Sequence, residues 1–278
     1  MRIQGVAAGV PFVALPPAHG GAAPLVVVWH LMDSPRTEVA MAAALPLEDV
    51  PAWRVYLGLP LMSSRTPAGG FDEIMALVRD DTLLKCHGAV ITQAAAEFPA
   101  VLDALREQLP LAQGPLFLVG GSAGGGAALL TLTESPHPIA GLVAINAAIR
   151  ATTLVELVEQ GMGIEYQWSA ESRALAGRLD FVDRAAEIMA RRPQPDVLIV
   201  SGQEDHKSFQ DDALELRRAL GDHRDGGVVV LTRIEGLAHP LALEPGLEAA
   251  PQTPAAAAVE AEVSAFLKAR IPAPPTEP

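Results

Sequence analysis

The sequence predicts one α/β domain in which a mostly parallel central sheet is covered by helices on both faces. Short apolar runs rich in β-branched residues alternate with longer helical patterns, which is typical of parallel strands joined by crossover helices. Runs such as residues 25–30 (LVVVWH) and 139–146 (IAGLVAIN) are continuously apolar, as expected of strands buried on both faces. At 278 residues, of which 50% are hydrophobic and 19% charged, the chain is long enough for one large core.

The strands are predicted from apolar runs that are bounded by glycine, proline or other turn residues. In chain order, the predicted strands are residues 2–6, 10–15, 25–30, 53–58, 116–119, 139–146, 197–201 and 227–234. The first two are short and precede the turn PPAHGG, so we expect them at the edge of the sheet.

The helices are predicted from longer periodic segments between these strands. They are residues 37–44, 89–109, 124–134, 208–220 and 254–269. Pro99 is expected to kink the second helix or divide it in two. Residues 147–195 have no strand character and are predicted to form a helical cap or lid, with helices beginning at the N-cap residues Ser169 and Asp180. The domain is expected to span residues 1–278, with 271–278 (IPAPPTEP) as a loose tail.

Composition excludes several classes of partner. The formal net charge is −13, from 20 basic and 33 acidic residues, and no basic cluster is present, so we expect neither nucleic acid nor a membrane as partner. The single cysteine gives no disulfide framework and no spacing typical of a metal site. Neither a secretory signal nor an apolar stretch long enough to span a bilayer is evident, so a cytoplasmic location is expected.

The chemistry is concentrated in the stretch LFLVGGSAGGGAALL, where an apolar run meets a glycine cluster that holds one serine. A P-loop needs a lysine after its glycines, and a dinucleotide site needs G-x-G-x-x-G; neither pattern is present. Residues 120–124 (GGSAG) instead match G-x-S-x-G between a strand and a helix. This pattern predicts a tight turn that presents Ser122 as a nucleophile and the backbone N–H of Ala123 to an oxyanion.

A serine nucleophile needs a base and an acid that orients the base. Asp205 follows the strand VLIVS, and His239 follows the strand GVVVLTRI. Both therefore lie at the carboxyl edge of a parallel sheet, in the order serine, acid, histidine. Glu204 is an alternative to Asp205 as the acid.

On these residues the sequence resembles serine esterases of the α/β-hydrolase superfamily. It is similar to small bacterial carboxylesterases and to dienelactone-hydrolase-like and prolyl-oligopeptidase-like proteins. The resemblance covers residues 24–267 and rests on residues 120–124 (GGSAG), 202–205 (GQED) and 236–239 (GLAH). It implies the α/β-hydrolase fold with a small helical lid, and it favours Asp205 over Glu204 as the acid.

The chain departs from the family after the third strand, where His-Gly is common and this sequence has His30-Leu31. That loop supplies the second N–H of the oxyanion hole in the family. Met32 is the first candidate for this donor and Leu31 the second, while His30 is expected to brace the loop. The other histidines, including His87, are expected to be solvated or structural.

Two interpretations of the remaining apolar candidates stay open. Met162, Tyr166 and Trp168 in the predicted lid either line a substrate pocket or pack the lid against the domain. Leu61 and Met62, after the fourth strand, have the same two interpretations.

The function expected from these residues is hydrolysis of small to medium carboxylic esters through an acyl-enzyme, with no metal and no cofactor. The alternatives are a prolyl-oligopeptidase-like peptidase or amidase, and a non-catalytic protein that binds small molecules on the same fold. The only partner expected is a small-molecule ester, and the sequence leaves the oligomeric state open.

Overall fold

In the computed structural model, which describes residues 2–18 and 20–271, the strands form an eight-stranded sheet. The strands are β1 (Ile3–Ala7), β2 (Val10–Leu15), β3 (Ala23–Trp29), β4 (Trp53–Leu57), β5 (Leu111–Gly121), β6 (Gly141–Ile145), β7 (Asp196–Gly202) and β8 (Val229–Ile234). Their order is β1-β2-β4-β3-β5-β6-β7-β8. The β1–β2 and β2–β4 pairs are antiparallel and the other five are parallel, which confirms the predicted mostly parallel sheet.

The described helices cover both faces of this sheet. They are α1 (Glu38–Ala44), α2 (Gly70–Asp81), α3 (His87–Gln108), α4 (Ser122–Glu134), α5 (Ala151–Met162), α6 (Ala170–Arg178), α7 (Ala185–Met189), α8 (Lys207–Asp222) and α9 (Pro254–Lys268). Val90, Leu129 and Leu216 of α3, α4 and α8 join the core on one face. Met41 and Val263 of α1 and α9 join the core on the other. Within the described ranges, no helix is both long and apolar enough to cross a membrane.

Strand β3 explains why the central strands are apolar throughout. Leu25, Val27 and Trp29 point to the core beneath α3 and α4, whereas Val26 and Val28 point to the core beneath α1 and α9. Because successive side chains of a strand alternate between faces, a strand with helices on both faces needs an apolar residue at every position.

Helix α2 and the π-helical turn Thr82–Cys86, which joins it to α3, were not predicted from the sequence. Phe71, Ile74, Met75 and Val78 are spaced as on one face of a helix, so the helical period was present in the sequence and was missed.

Pro99 was expected to kink helix α3 or divide it; α3 runs through Pro99 without a break, so the division was wrong. Phe98, Val101 and Leu102 are all buried on either side of the proline. The burial of these side chains in one core stabilises both halves of the helix and offsets the lost backbone hydrogen bond.

The chain between β6 and β7 forms α5, α6 and α7. Helix α6 begins after Ser169 as predicted, because the Ser169 hydroxyl accepts a hydrogen bond from the Ser172 N–H at 3.0 Å. Asp180 does not begin a helix. Its carboxylate caps a turn by accepting from the N–H groups of Val182 and Asp183, and α7 starts at Ala185. The predicted tail lies outside the described residues except for Ile271, which is buried.

Candidate active site

Ser122 occupies the tight turn where β5 meets α4. Its φ of 49° lies in the left-handed region, which is strained for a residue with a side chain. A Cβ on Gly120 would lie 2.1 Å from the carbonyl oxygen of Gly124, and a Cβ on Gly124 would lie 2.3 Å from that of His30. The turn therefore requires glycine at both positions, which explains the G-x-S-x-G spacing.

The structure brings Ser122, His239 and Asp205 together in one hydrogen-bonded chain. His239 Nε2 lies 2.9 Å from the Ser122 hydroxyl oxygen, and His239 Nδ1 lies 2.9 Å from Asp205 Oδ1. Since a carboxylate accepts at Nδ1, the bonding pattern assigns the proton of a neutral ring to Nδ1 and leaves Nε2 free to accept the serine proton.

Asp205, rather than Glu204, faces the histidine. Glu204 is exposed, whereas the Asp205 side chain is buried and its Oδ1 also accepts the N–H of His206 at 2.7 Å. The second oxygen, Oδ2, is buried without a partner among the described residues. The carboxylate is therefore held in one orientation through a single oxygen.

Electrostatics favour the protonated form of His239. Burial opposes protonation, but the hydrogen bond and charge of Asp205 and the charge of Asp33 outweigh it and raise the pKa of the imidazole. The ring of Phe209 packs edge-on against His239, at 4.9 Å between ring centres and 66° between ring planes. The imidazole of His239 thus lies between the carboxylate of Asp205, which stabilises the imidazolium, and the apolar ring of Phe209.

The loop after β3 carries the candidate donors of an oxyanion hole. The N–H of Leu31 already donates to the Pro35 carbonyl at 3.2 Å. The N–H of Met32 has no partner within residues 2–18 and 20–271, so Met32 is the better candidate of the two. Ala123 supplies the other candidate, because N–H groups in the first turn of a helix have no partner within the helix.

His30 is fully buried beneath this loop and bonds it on both sides. Its Nδ1 donates to the Leu31 carbonyl at 2.6 Å, and its Nε2 accepts from the N–H of Leu59 at 3.0 Å. Burial lowers the pKa of His30 to about 4, although the bond to Leu31 opposes this shift. A neutral ring with its proton on Nδ1 satisfies both bonds and ties the loop to the chain after β4.

Ser122 and His239 open into a cavity of about 180 Å³. It is lined by Met32, Asp33, His87, Ser122, Leu154, Leu157, Val158, His206, Phe209 and His239. A larger cavity of about 620 Å³ shares five of these residues, namely Met32, Asp33, His87, Leu157 and Val158. The two spaces therefore adjoin, and residues of helix α5 line both.

Of the five pocket residues predicted from the sequence, Met62 and Met162 line the larger cavity. Leu61, Tyr166 and Trp168 line neither of these two cavities. The Tyr166 hydroxyl donates to Asp81 at 2.6 Å, and the ring of Trp168 packs edge-on against that of Tyr166. These two aromatic residues pack the segment after α5 against the end of α2, which was the alternative interpretation.

Several residues at the site were missed in the sequence. His87, expected to be solvated or structural, lines both cavities and lies 2.8 Å from the Thr82 hydroxyl through Nδ1. Asp33 and Phe209 were not singled out, although both contact His239. Position next to Met32 was a usable signal for Asp33. For His87 and Phe209 the sequence contained no such signal, because it does not show where their helices lie relative to Ser122.

No protein-family model and no curated relative matches the chain. Among solved structures, TT1662 from Thermus thermophilus is 18% identical with a TM-score of 0.63, over 97% of this chain and 99% of that one. An esterase of the fungus Rhizomucor miehei is 13% identical with a TM-score of 0.62, over 97% and 82%. A puromycin-hydrolysing peptidase of Mycobacterium tuberculosis is 16% identical with a TM-score of 0.66. This chain is covered over 97% of its length and spans 39% of that peptidase.

These likenesses, together with the sheet order and the turn at Ser122, show that the chain has the α/β-hydrolase fold. The same fold is found in esterases and in peptidases, so the reaction has to be argued from the residues of the site.

Proposed function

We propose that the protein is a serine hydrolase that cleaves carboxylic esters of small to medium acyl chain through a covalent acyl-enzyme. The observation that carries the proposal is the unbroken chain of hydrogen bonds from the Ser122 hydroxyl through His239 to Asp205. In this arrangement the carboxylate orients the imidazole and the imidazole activates the serine as a nucleophile, which a site that only binds a ligand does not need.

In the first half of the reaction, the Ser122 oxygen attacks the ester carbonyl while His239 Nε2 accepts the hydroxyl proton. Asp205 keeps the imidazole in the required tautomer and stabilises the imidazolium that forms. His239 then returns the proton to the leaving alcohol. In the second half, a water molecule gives its proton to the same nitrogen and attacks the acyl carbonyl. The bond from the acyl carbon to the Ser122 oxygen then breaks, His239 returns the proton to that oxygen, and the acid is released.

The negative charge of the tetrahedral intermediate is stabilised by the N–H groups of Ala123 and Met32. Each such donor contributes about 3 kcal/mol to the transition state in comparable sites. His30 bonds to the Leu31 carbonyl and to the Leu59 N–H. These two hydrogen bonds support the assignment, because they fix the loop that carries the Met32 donor.

Helix α5 acts as a lid in this proposal, since Leu154, Leu157 and Val158 all line the space beside Ser122. The apolar lining suits the acyl or alcohol group of a small-molecule ester. The expectation of no nucleic-acid or membrane partner remains part of the proposal and rests on the charge balance of the chain. A cytoplasmic location also remains part of the proposal.

The test is hydrolysis of p-nitrophenyl esters from acetate to decanoate by the wild type, Ser122→Ala and Ser135→Ala. Ser135 is a buried serine at the other end of α4, so it is a matched control for loss of a buried hydroxyl. We expect turnover in the wild type and Ser135→Ala and none above background in Ser122→Ala. Labelling with a fluorophosphonate should follow the same pattern.

Other outcomes separate the alternatives. Faster cleavage of matched anilides than of esters would identify a peptidase or amidase. Labelling of Ser122 without turnover of any ester would mean that the nucleophile is competent and the substrate class is wrong. Neither labelling nor turnover would favour a non-catalytic binding protein.

A further inference from the structure

Asp33 places a carboxylate inside the candidate active site, in addition to the carboxylate of Asp205. Its Oδ2 lies 3.6 Å from His239 Nε2, the nitrogen that faces Ser122. It also follows Met32, the candidate oxyanion donor, directly in sequence and lines both adjoining cavities. Asp33 is therefore next to the point where an ester carbonyl and its leaving oxygen must lie.

The Asp33 carboxylate is not used by the fold. Its side chain is 53% exposed, and within residues 2–18 and 20–271 its one ion-pair contact is with His239. It caps no helix and accepts no hydrogen bond from the described residues, unlike Asp81 or Asp180, whose carboxylates cap local turns. A structural role therefore does not explain this carboxylate.

Among the described residues that line the cavity beside Ser122, Asp33 is the only aspartate, glutamate, lysine or arginine. The remaining lining residues there are apolar, or are histidine and serine. Burial lowers the pKa of His87, against the opposing effect of Asp33, so this histidine is neutral at pH 7. In the larger cavity, Arg36 is paired with Glu244 at 2.9 Å and Arg79 is exposed to solvent. When His239 is neutral, as the proposed reaction requires, the space that receives the scissile bond is thus negative, on a chain whose net charge is −13.

A carboxylate in this position opposes the negative charge that develops on the oxyanion. A cation bound beside Asp33 removes that cost and is itself attracted. We infer that Asp33 is a specificity-determining residue that selects esters carrying an ammonium group within a few bonds of the scissile carbonyl. The inference rests on the proposed function and names the class of substrate for that same site.

The ammonium has two possible sources, the α-amino group of an aminoacyl ester or the amine of an aminoethyl alcohol such as choline. Both place a cation two to four bonds from the carbonyl. A contact between a half-exposed carboxylate and a cation is worth roughly a factor of ten in kcat/KM, because solvent screens part of the attraction.

The experiment compares two pairs of esters in which a cation is replaced by its neutral isostere. The acyl-side pair is ethyl L-alaninate and ethyl isobutyrate; the alcohol-side pair is choline acetate and 3,3-dimethylbutyl acetate. The ratio of kcat/KM within each pair is measured for the wild type, Asp33→Asn and Asp103→Asn. Asp103 is a solvent-exposed carboxylate on α3, so the control removes the same charge far from the cavity. Because both members of a pair use the same His239, the ratio cancels any effect of Asp33 on that histidine.

We expect the cationic member of one pair to be preferred about tenfold by the wild type and by Asp103→Asn, with the preference lost in Asp33→Asn. The pair that shows it identifies the source of the ammonium. Equal turnover of both members in both pairs overturns the inference while leaving the serine hydrolase intact, and so does an equal loss for both members in Asp33→Asn.

A second readout does not need turnover. Tetramethylammonium should slow fluorophosphonate labelling of Ser122 in the wild type and have a weaker effect in Asp33→Asn. Labelling that is indifferent to tetramethylammonium in both proteins counts against a cation site. Failure of the proposed function is recognised separately, by the absence of labelling altogether.

Discussion

The Nδ2 of Asn146 donates a hydrogen bond of 2.8 Å to the backbone carbonyl of Ala238, the residue before His239. The Oδ1 of the same amide accepts the N–H of Gly202 at 2.7 Å, three residues before Asp205. One buried side chain at the end of β6 therefore fixes the loop that carries His239 relative to the loop that carries Asp205.

Asn146→Ala should lower kcat/KM about a hundredfold, because small displacements of a catalytic group have effects of this size. The φ of Asn146 is 42°, so alanine also introduces backbone strain. Asn146→Gly is the matched variant, since it relieves the strain without restoring the bonds. We expect its melting temperature to exceed that of Asn146→Ala while its activity stays equally low. Full activity in Asn146→Gly would exclude a positioning role for the amide.

Gly120→Ala should prevent folding or lower the free energy of unfolding by several kcal/mol. The new Cβ would meet backbone atoms of residues 124 and 125, which cannot move without opening the turn at Ser122. Gly177→Ala is the control, because its Cβ would meet nothing within 4 Å and it lies inside α6. That variant should gain up to about 1 kcal/mol. Urea denaturation of both variants gives the comparison.

Val158 lines both cavities, so Val158→Trp should narrow the junction between them. The wild type should gain about fourfold in kcat/KM for each added methylene that the cavity buries. The variant should lose this gain, so its activity on butanoate falls by more than its activity on acetate. Ile164→Trp introduces the same side chain at an exposed position after α5 and serves as the control. Equal profiles in the two variants would mean that the acyl chain lies elsewhere.

The rate at low pH should depend on Asp33. In the proposed mechanism His239 must be neutral to accept the serine proton, so kcat/KM should fall as pH drops through the pKa of His239. That pKa is raised above 6.5, as the effect of burial is outweighed by Asp205 and Asp33. Asp33→Asn removes one of the raising charges and should move the acidic limb of the kcat/KM profile to lower pH. In Asp103→Asn the limb should not move.

Acid should destabilise the fold in part through His30. Its pKa is about 4 in the folded protein because the ring is buried, against about 6.5 in an unfolded chain. Between these values the unfolded chain binds more protons, so stability falls as pH drops from 6.5 to 4, by roughly 3 kcal/mol in total. Urea unfolding at pH 7.5 and pH 5 should show a smaller difference in His30→Asn than in the wild type. An unchanged difference would assign the acid sensitivity to other groups.

The sequence was most informative where one local pattern fixes one local structure. The N-cap at Ser169 was found correctly because its hydroxyl and the backbone of Ser172 are neighbours in the chain. Asp180 carried the same signal but caps only a turn, and the helical spacing of the apolar residues in α2 was missed although the sequence contains it. Pro99 failed to break α3 because packing outweighed a local preference.

By itself the sequence determined the mostly parallel sheet, since strands covered on both faces must be apolar at every position, and the turn at Ser122, since only glycine fits beside it. It also predicted Ser122, Asp205 and His239 as the serine, acid and histidine, in this order along the chain. Only the tertiary structure decided that Asp205 rather than Glu204 meets the histidine, and that Asn146 and Asp33 lie beside it. These contacts join residues far apart in the chain, and their geometry is set by how the ends of the strands meet, which no local pattern encodes.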